Sequence, residues 1–160
     1  MTQNNTIYTV EVKKEYYELG ALLSETPHVN GEMHGIRKEY YLSGALRRET
    51  PYVNGKRHGI EMWYYDSGAL WYETPYVNGK KHGIYKVYYK SGSLQYETLY
   101  VNGYKHGIEK AYYESGALRQ EAPYENGKMH GIVRGYDEEK ANIEHLVLYD
   151  KARKVNAIKI

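Results

Sequence analysis

Five histidines, His34, His58, His82, His106 and His130, recur every 24 residues, each followed by glycine. Five glutamates, Glu25, Glu49, Glu73, Glu97 and Glu121, keep the same step. Imidazoles and carboxylates hold metals and move protons, so two such ladders invite a metal-binding or catalytic reading. Geometry argues against it. Ligands of one ion must each lie about 2 Å from it. If one 24-residue unit is one pair of strands, equivalent residues in successive units stand about 10 Å apart. No H-E-x-x-H, calcium loop or phosphate-binding glycine loop is present to suggest a composite site. A feature written five times reads as architecture, with His ending a turn and Glu pairing with nearby Lys, Arg or Tyr hydroxyls. The expectation is no catalytic residue, no metal and no cofactor.

The elements that carry these ladders follow from the turn signals. Each unit has an Asn-Gly pair, beginning at Asn30, Asn54, Asn78, Asn102 and Asn126. Asn-Gly suits a two-residue type I′ hairpin turn, because both residues tolerate positive φ. A second signal, D-S-G or E-S-G, ends on Gly68 or Gly116 and places glycine where a longer hairpin loop needs it. Between the signals lie I-E-M-W-Y-Y and A-L-W-Y-E-T-P-Y-V, short runs rich in aromatic and β-branched residues. Pro27, Pro51, Pro75 and Pro123 argue against helix and sit near strand ends.

One unit is therefore one β-hairpin, and a fixed period of this size marks a repeat architecture. The predicted fold is all-β: an elongated, twisted, single-layer antiparallel meander of about twelve strands with diverged capping ends. The whole chain, 1–160, reads as a single repeat domain. A half-unit covers 6–24, full units start at 25, 49, 73, 97 and 121, and a cap occupies about 137–160. Within the cap, strands are expected at 146–149 and about 155–160, with a helical turn near 138–142.

Composition narrows the function classes. Tyrosine supplies 21 of 160 residues and phenylalanine none, which favours a thin structure whose rings reach the surface with their hydroxyls. A net charge of +2, spread along the chain, gives no nucleic-acid footprint. Absence of cysteine excludes disulfides and thiolate chemistry. The start M-T-Q-N-N-T-I-Y-T-V lacks the pattern of a signal peptide, and a cytoplasmic location is expected.

The string Y-V-N-G-K-K-H-G, with Y-Y-x-S-G following, resembles the MORN repeat, specifically its bacterial MORN-2 variant, over about residues 6–136. Standard units often carry a second glycine two residues after His-Gly. Here Arg37, Glu61, Tyr85, Glu109 and Val133 stand there, so side chains replace bare backbone on that strip. The resemblance implies stacked hairpins used for protein or membrane-lipid contact without catalysis. It also implies a place among the antitoxin or immunity partners of toxins.

Two registers are open for the second turn. With a four-residue loop, one face carries Gly59, Glu61, Trp63 and Tyr65 beside Leu70, Tyr72, Thr74 and Tyr76. The other face then carries Ile60, Met62 and Tyr64 beside Trp71, Glu73, Pro75 and Val77. A three-residue loop would exchange the partners on one strand. The Asn-Gly signal favours the first.

Constant positions read as framework and variable ones as candidates for partner specificity. Aromatics concentrate in the two central units as Trp63, Trp71, Tyr72, Tyr85 and Tyr96. They are either contact residues of a partner-binding face or simple cover for a thin sheet. His28 stands where other units have Tyr and takes that ring's place. The first functional expectation is a non-catalytic scaffold for a protein partner, a toxin being one candidate, bound through the aromatic face or a sheet edge. An edge-paired homodimer is another use of that edge. The second expectation is a peripheral module for anionic lipid. Lys56, Lys80, Lys81, Lys105 and Lys128 would then form a basic rim along the Asn-Gly edge.

Overall fold

Alternating aromatic and branched residues between paired turn signals give seventeen strand segments and no helix among residues 9–160, which the computed structural model describes. Four are two-residue pieces: Glu32–Met33, Lys56–Arg57, Lys80–Lys81 and Lys128–Met129. After a short break they continue into Gly35–Tyr40, Gly59–Tyr64, Gly83–Tyr88 and Gly131–Tyr136. Joined in this way, the segments make thirteen strands, each antiparallel to its chain neighbour in one open sheet. The expected half-unit over 6–24 lies partly outside the described residues. Its described part supplies the edge strand Val10–Tyr16.

The Asn-Gly turns are as expected. Asn54 has φ 49° and Gly55 φ 73°, and Val53 faces Lys56 directly across them. These turns also join units. The N–H of Gly55 donates to the Met33 carbonyl at 2.9 Å, and Gly79 donates to Arg57 at 2.8 Å. Gly103 repeats the contact with Lys81, and Gly127 with Lys105.

His-Gly does not end this hairpin; it is a bulge inside the strand. Tyr52 faces Arg57 but Glu49 faces Met62, so residues 58–61 lie opposite only 50 and 51. The His58 N–H donates to the Pro51 carbonyl at 3.0 Å, and proline has no N–H with which to answer. Pairing therefore stops there. Leu99 occupies the proline place in one unit, and there the facing strand Tyr104–Tyr112 runs unbroken with Leu99 opposite His106.

The second turn keeps the preferred register along the strands but corrects the length of its loop. The Tyr65 N–H donates to the Ala69 carbonyl at 2.8 Å and the Gly68 N–H to the Tyr65 carbonyl at 2.9 Å, closing a three-residue loop. Yet Trp63 still faces Tyr72, Met62 faces Glu73 and Glu61 faces Thr74. A bulge reconciles the two. Tyr64 pairs with Leu70, and Trp71 is left without a partner. The same shift recurs in the other hairpins, where it leaves Leu23, Arg47, Gln95, Arg119 and Glu144 unpaired.

The two faces are unequal. One, the threonine face, buries Ser24, Thr50, Thr74, Thr98, Ala122 and Val133 under larger neighbours. The other carries Ile36, Ile60, Ile84 and Ile108, each about half exposed. At the C-terminal end the cap strands, Ile143–Asp150 and Arg153–Lys159, are longer than expected. The helical turn near 138–142 is a single one: the Ala141 N–H donates to the Asp137 carbonyl at 3.1 Å. The Asp137 carboxylate caps it by accepting from the Glu139 and Lys140 N–H groups. The His145 imidazole lies directly on Gly135, where an added Cβ would come within 1.9 Å of its Cε1.

Candidate interaction surface

On the threonine face the small side chains form a floor, and the rings of flanking positions lean over it. Thr50, Thr74 and Thr98 are each 1% exposed. Trp63 stacks on Tyr72 with centroids 5.4 Å apart, and Tyr72 meets Tyr85 edge-on at 5.9 Å. Tyr85 in turn meets Tyr96 at 5.6 Å. Trp71 belongs to the same strip, 5.0 Å from Tyr72 and 6.5 Å from Trp63. Strict alternation assigns Trp71 to the opposite face. The bulge corrects that, because an extra residue turns its side chain back onto the side of its neighbour. All five aromatic candidates thus form one continuous chain of rings, with Trp71 39% exposed at its margin.

Cations lie across these rings. Arg48 Cζ sits 4.8 Å from the Trp63 ring centre and Arg47 Cζ 5.4 Å. Arg57 covers Tyr76 at 4.1 Å and donates to its hydroxyl at 2.8 Å. Lys81 lies 5.0 Å from the Tyr85 ring and 5.1 Å from Tyr100. Lys105 lies 4.7 Å from Tyr124 and 5.4 Å from Tyr96. Such contacts are worth about 0.5–2 kcal/mol each, depending on desolvation.

Glu61, 4% exposed, anchors one end of the strip. It accepts from Arg48 at 2.6 Å, from the Thr50 hydroxyl at 3.2 Å and from Trp63 Nε1 at 3.2 Å. A carboxylate this buried needs such partners, and here they also hold the Trp63 ring in place. Burial pushes the Tyr72 hydroxyl up to about 12, with the Glu61 charge adding to the effect.

A sequence model of the MORN repeat variant matches residues 33–54, 57–78, 81–102 and 105–126. The chain belongs to that family. No curated protein matches it. The MORN architecture accounts for the glutamate ladder. The first tyrosine of four Tyr-Tyr pairs donates to the ladder glutamate, Tyr40 to Glu25, Tyr64 to Glu49, Tyr88 to Glu73 and Tyr112 to Glu97, and Tyr136, followed by Asp137, donates to Glu121 in the same way. The second tyrosine reaches the next unit. Tyr41 donates to the Tyr64 carbonyl at 2.6 Å, and Tyr17, Tyr65, Tyr89 and Tyr113 make the equivalent bond. The glutamates are thus acceptors within MORN units, and the tyrosine pairs fasten one unit to the next.

The histidines stay at the margin of the MORN sheet. His34, His58, His82, His106 and His130 are exposed. Among the described residues, no group of three or more His, Cys, Asp or Glu could hold a metal ion.

The rim of five lysines is corrected. The two residues after each Asn-Gly are already in strand, so they point to opposite faces. Lys56, Lys80 and Lys128 are exposed beside the turns. Lys81 and Lys105 project instead onto the threonine face over tyrosine rings. Arg57, which shares their position, was not singled out from the sequence. Its signal was present: alternation after Asn-Gly sends positions 57, 81 and 105 to the side of Tyr76, Tyr100 and Tyr124.

Proposed function

We propose that this protein is a non-catalytic scaffold that binds a partner protein through the strip Trp63, Trp71, Tyr72, Tyr85 and Tyr96. The observation that carries the reading is the strip's continuity. Five rings from two adjacent MORN units touch in sequence, at positions where the chain elsewhere carries mostly Arg, Glu, Gln, Val or Ala. Rigid amphipathic rings give large contact area for little conformational entropy, and Trp and Tyr dominate binding hot spots. The antitoxin or immunity role is the finer form of this reading. It rests on the resemblance alone and makes the partner a toxin.

The test is a partner captured from the native cell, followed by binding measurements with purified variants. Trp63→Ala and Tyr85→Ala should each weaken binding by about tenfold or more while the variants stay folded. Unchanged affinity in both would show that another surface is used.

The exposure of Lys56, Lys80 and Lys128 along one edge favours a second reading, attraction to anionic lipid at about 1 kcal/mol per charge near the surface. Flotation with phosphatidylserine vesicles at low salt tests it. No binding there removes this reading.

A further inference from the structure

Three consecutive MORN units place a cation at the same point of the threonine face: Arg57, Lys81 and Lys105. In the outer two, a glutamate four residues on answers it. Arg57 has Glu61 at 3.8 Å, and Lys105 is hydrogen-bonded to Glu109. In the middle unit that place holds Tyr85, and among the described residues no carboxylate lies within ion-pair distance of Lys81. The chain has thus replaced an acid by a ring at the centre of the aromatic strip and left one half-buried cation uncompensated.

We propose that Lys81 anchors a carboxylate side chain of the partner protein, received between the Tyr85 and Tyr100 rings. The proposal rests on the partner-protein reading above and specifies its chemistry. A half-buried ammonium loses hydration, which two ring faces return only in part. Burial lowers the Lys81 pKa, and the Arg57 and Lys105 charges act in the same direction against a raising contribution from Glu61. An arriving carboxylate would relieve that environment, with Arg57 and Lys105 each about one unit, roughly 10 Å, to either side. The ammonium lies across the rings and not beyond them, so the matching group must come on a narrow stalk. Asp and Glu side chains have that shape. Trp63, Tyr72 and Tyr96 around it favour apolar or aromatic residues beside the acid.

The test uses the full chain and a phage-displayed library of random peptides. Selected peptides should share an Asp or Glu next to apolar residues, and changing that acid to its amide should weaken binding on the order of tenfold. Lys81→Met should cost the same factor and abolish the difference between acid and amide peptides, the signature of direct coupling in a double-mutant cycle. Its fold is checked by circular dichroism and melting, with Lys81→Gln as a second variant. Trp63→Ala should weaken acid and amide peptides alike. Selection of no acid-bearing peptide overturns the proposal, as does a Lys81→Met chain that still discriminates acid from amide. Loss of binding to phosphatidylserine vesicles in Lys81→Met, with peptide binding intact, also overturns it and assigns the cation to lipid. If Trp63→Ala abolishes peptide binding while Lys81→Met has no effect, the aromatic strip stands and only the anchor fails.

Discussion

Trp71 meets Trp63 edge to face, ring centroids 6.5 Å apart and planes at 88°, on the side of the sheet that plain alternation denies it. The bulge at Trp71 makes this contact, and it joins the loop end of one hairpin to the middle of the same sheet face. The two indoles should therefore couple in near-ultraviolet circular dichroism. Trp63→Phe and Trp71→Phe should each remove the same paired signal, and the double variant should lose little more. Two independent, additive losses would place the rings apart.

A Pro–Gly contact across four of the five His-Gly bulges predicts unequal costs for one substitution. Gly83 has φ 116°, and an added Cβ would lie 2.9 Å from Pro75 Cγ. Gly107 has φ 75° with open space around it, because Leu99 replaces the proline. Gly83→Ala should cost about 2 kcal/mol or more, combining strain and overlap. Gly107→Ala should cost only the left-handed backbone, about 1 kcal/mol. Denaturant unfolding of the two variants measures the difference.

The last turn offers a gain. Lys151 and Ala152 hold φ values of 47° and 74°, a type I′ geometry that elsewhere in this chain belongs to Asn-Gly. Replacing them with Asn and Gly should stabilise the C-terminal hairpin by about 1 kcal/mol. Slower hydrogen exchange at residues 143–159 would register it, since the outer strand is exposed and opens readily.

Tyrosine ionisation should set an alkaline limit. Burial, and then the hydrogen bond to the ladder glutamate, pushes the hydroxyls of Tyr40, Tyr64 and Tyr112 up to about 12. A raised pKa means that the folded chain holds the proton more tightly than the unfolded one. The stabilisation is complete below pH 10, the ordinary tyrosine value, and is lost as pH rises from 10 towards 12. Melting temperature should fall steeply across that window. Tyr64→Phe should flatten the fall, and tyrosinate absorbance should show a late-titrating class near pH 12.

Much of the architecture was legible because it is periodic. The Asn-Gly turns, the hairpin period and the pairing of Trp63 with Tyr72 follow from local chemistry that one unit contains in full. The role of the ladder glutamates was legible for the same reason: a tyrosine hydroxyl lies on the facing strand of the same hairpin. The exit of Trp71 from the alternating pattern was not legible. A three-residue loop and a compensating bulge give the same distant register as a four-residue loop, so the string of residues cannot separate them.

The sequence by itself determined the MORN class, the all-β hairpin period and the residues that vary between units. These are properties of turn preference and alternation, which act over a few residues. Only the tertiary structure decided which variable residues meet. The sidedness of Trp71 depends on how two adjacent strands share one extra residue. The seating of Lys81 against the Tyr100 ring of the next unit arises only when the hairpins stack. Both are relations between strands, and no single strand contains them.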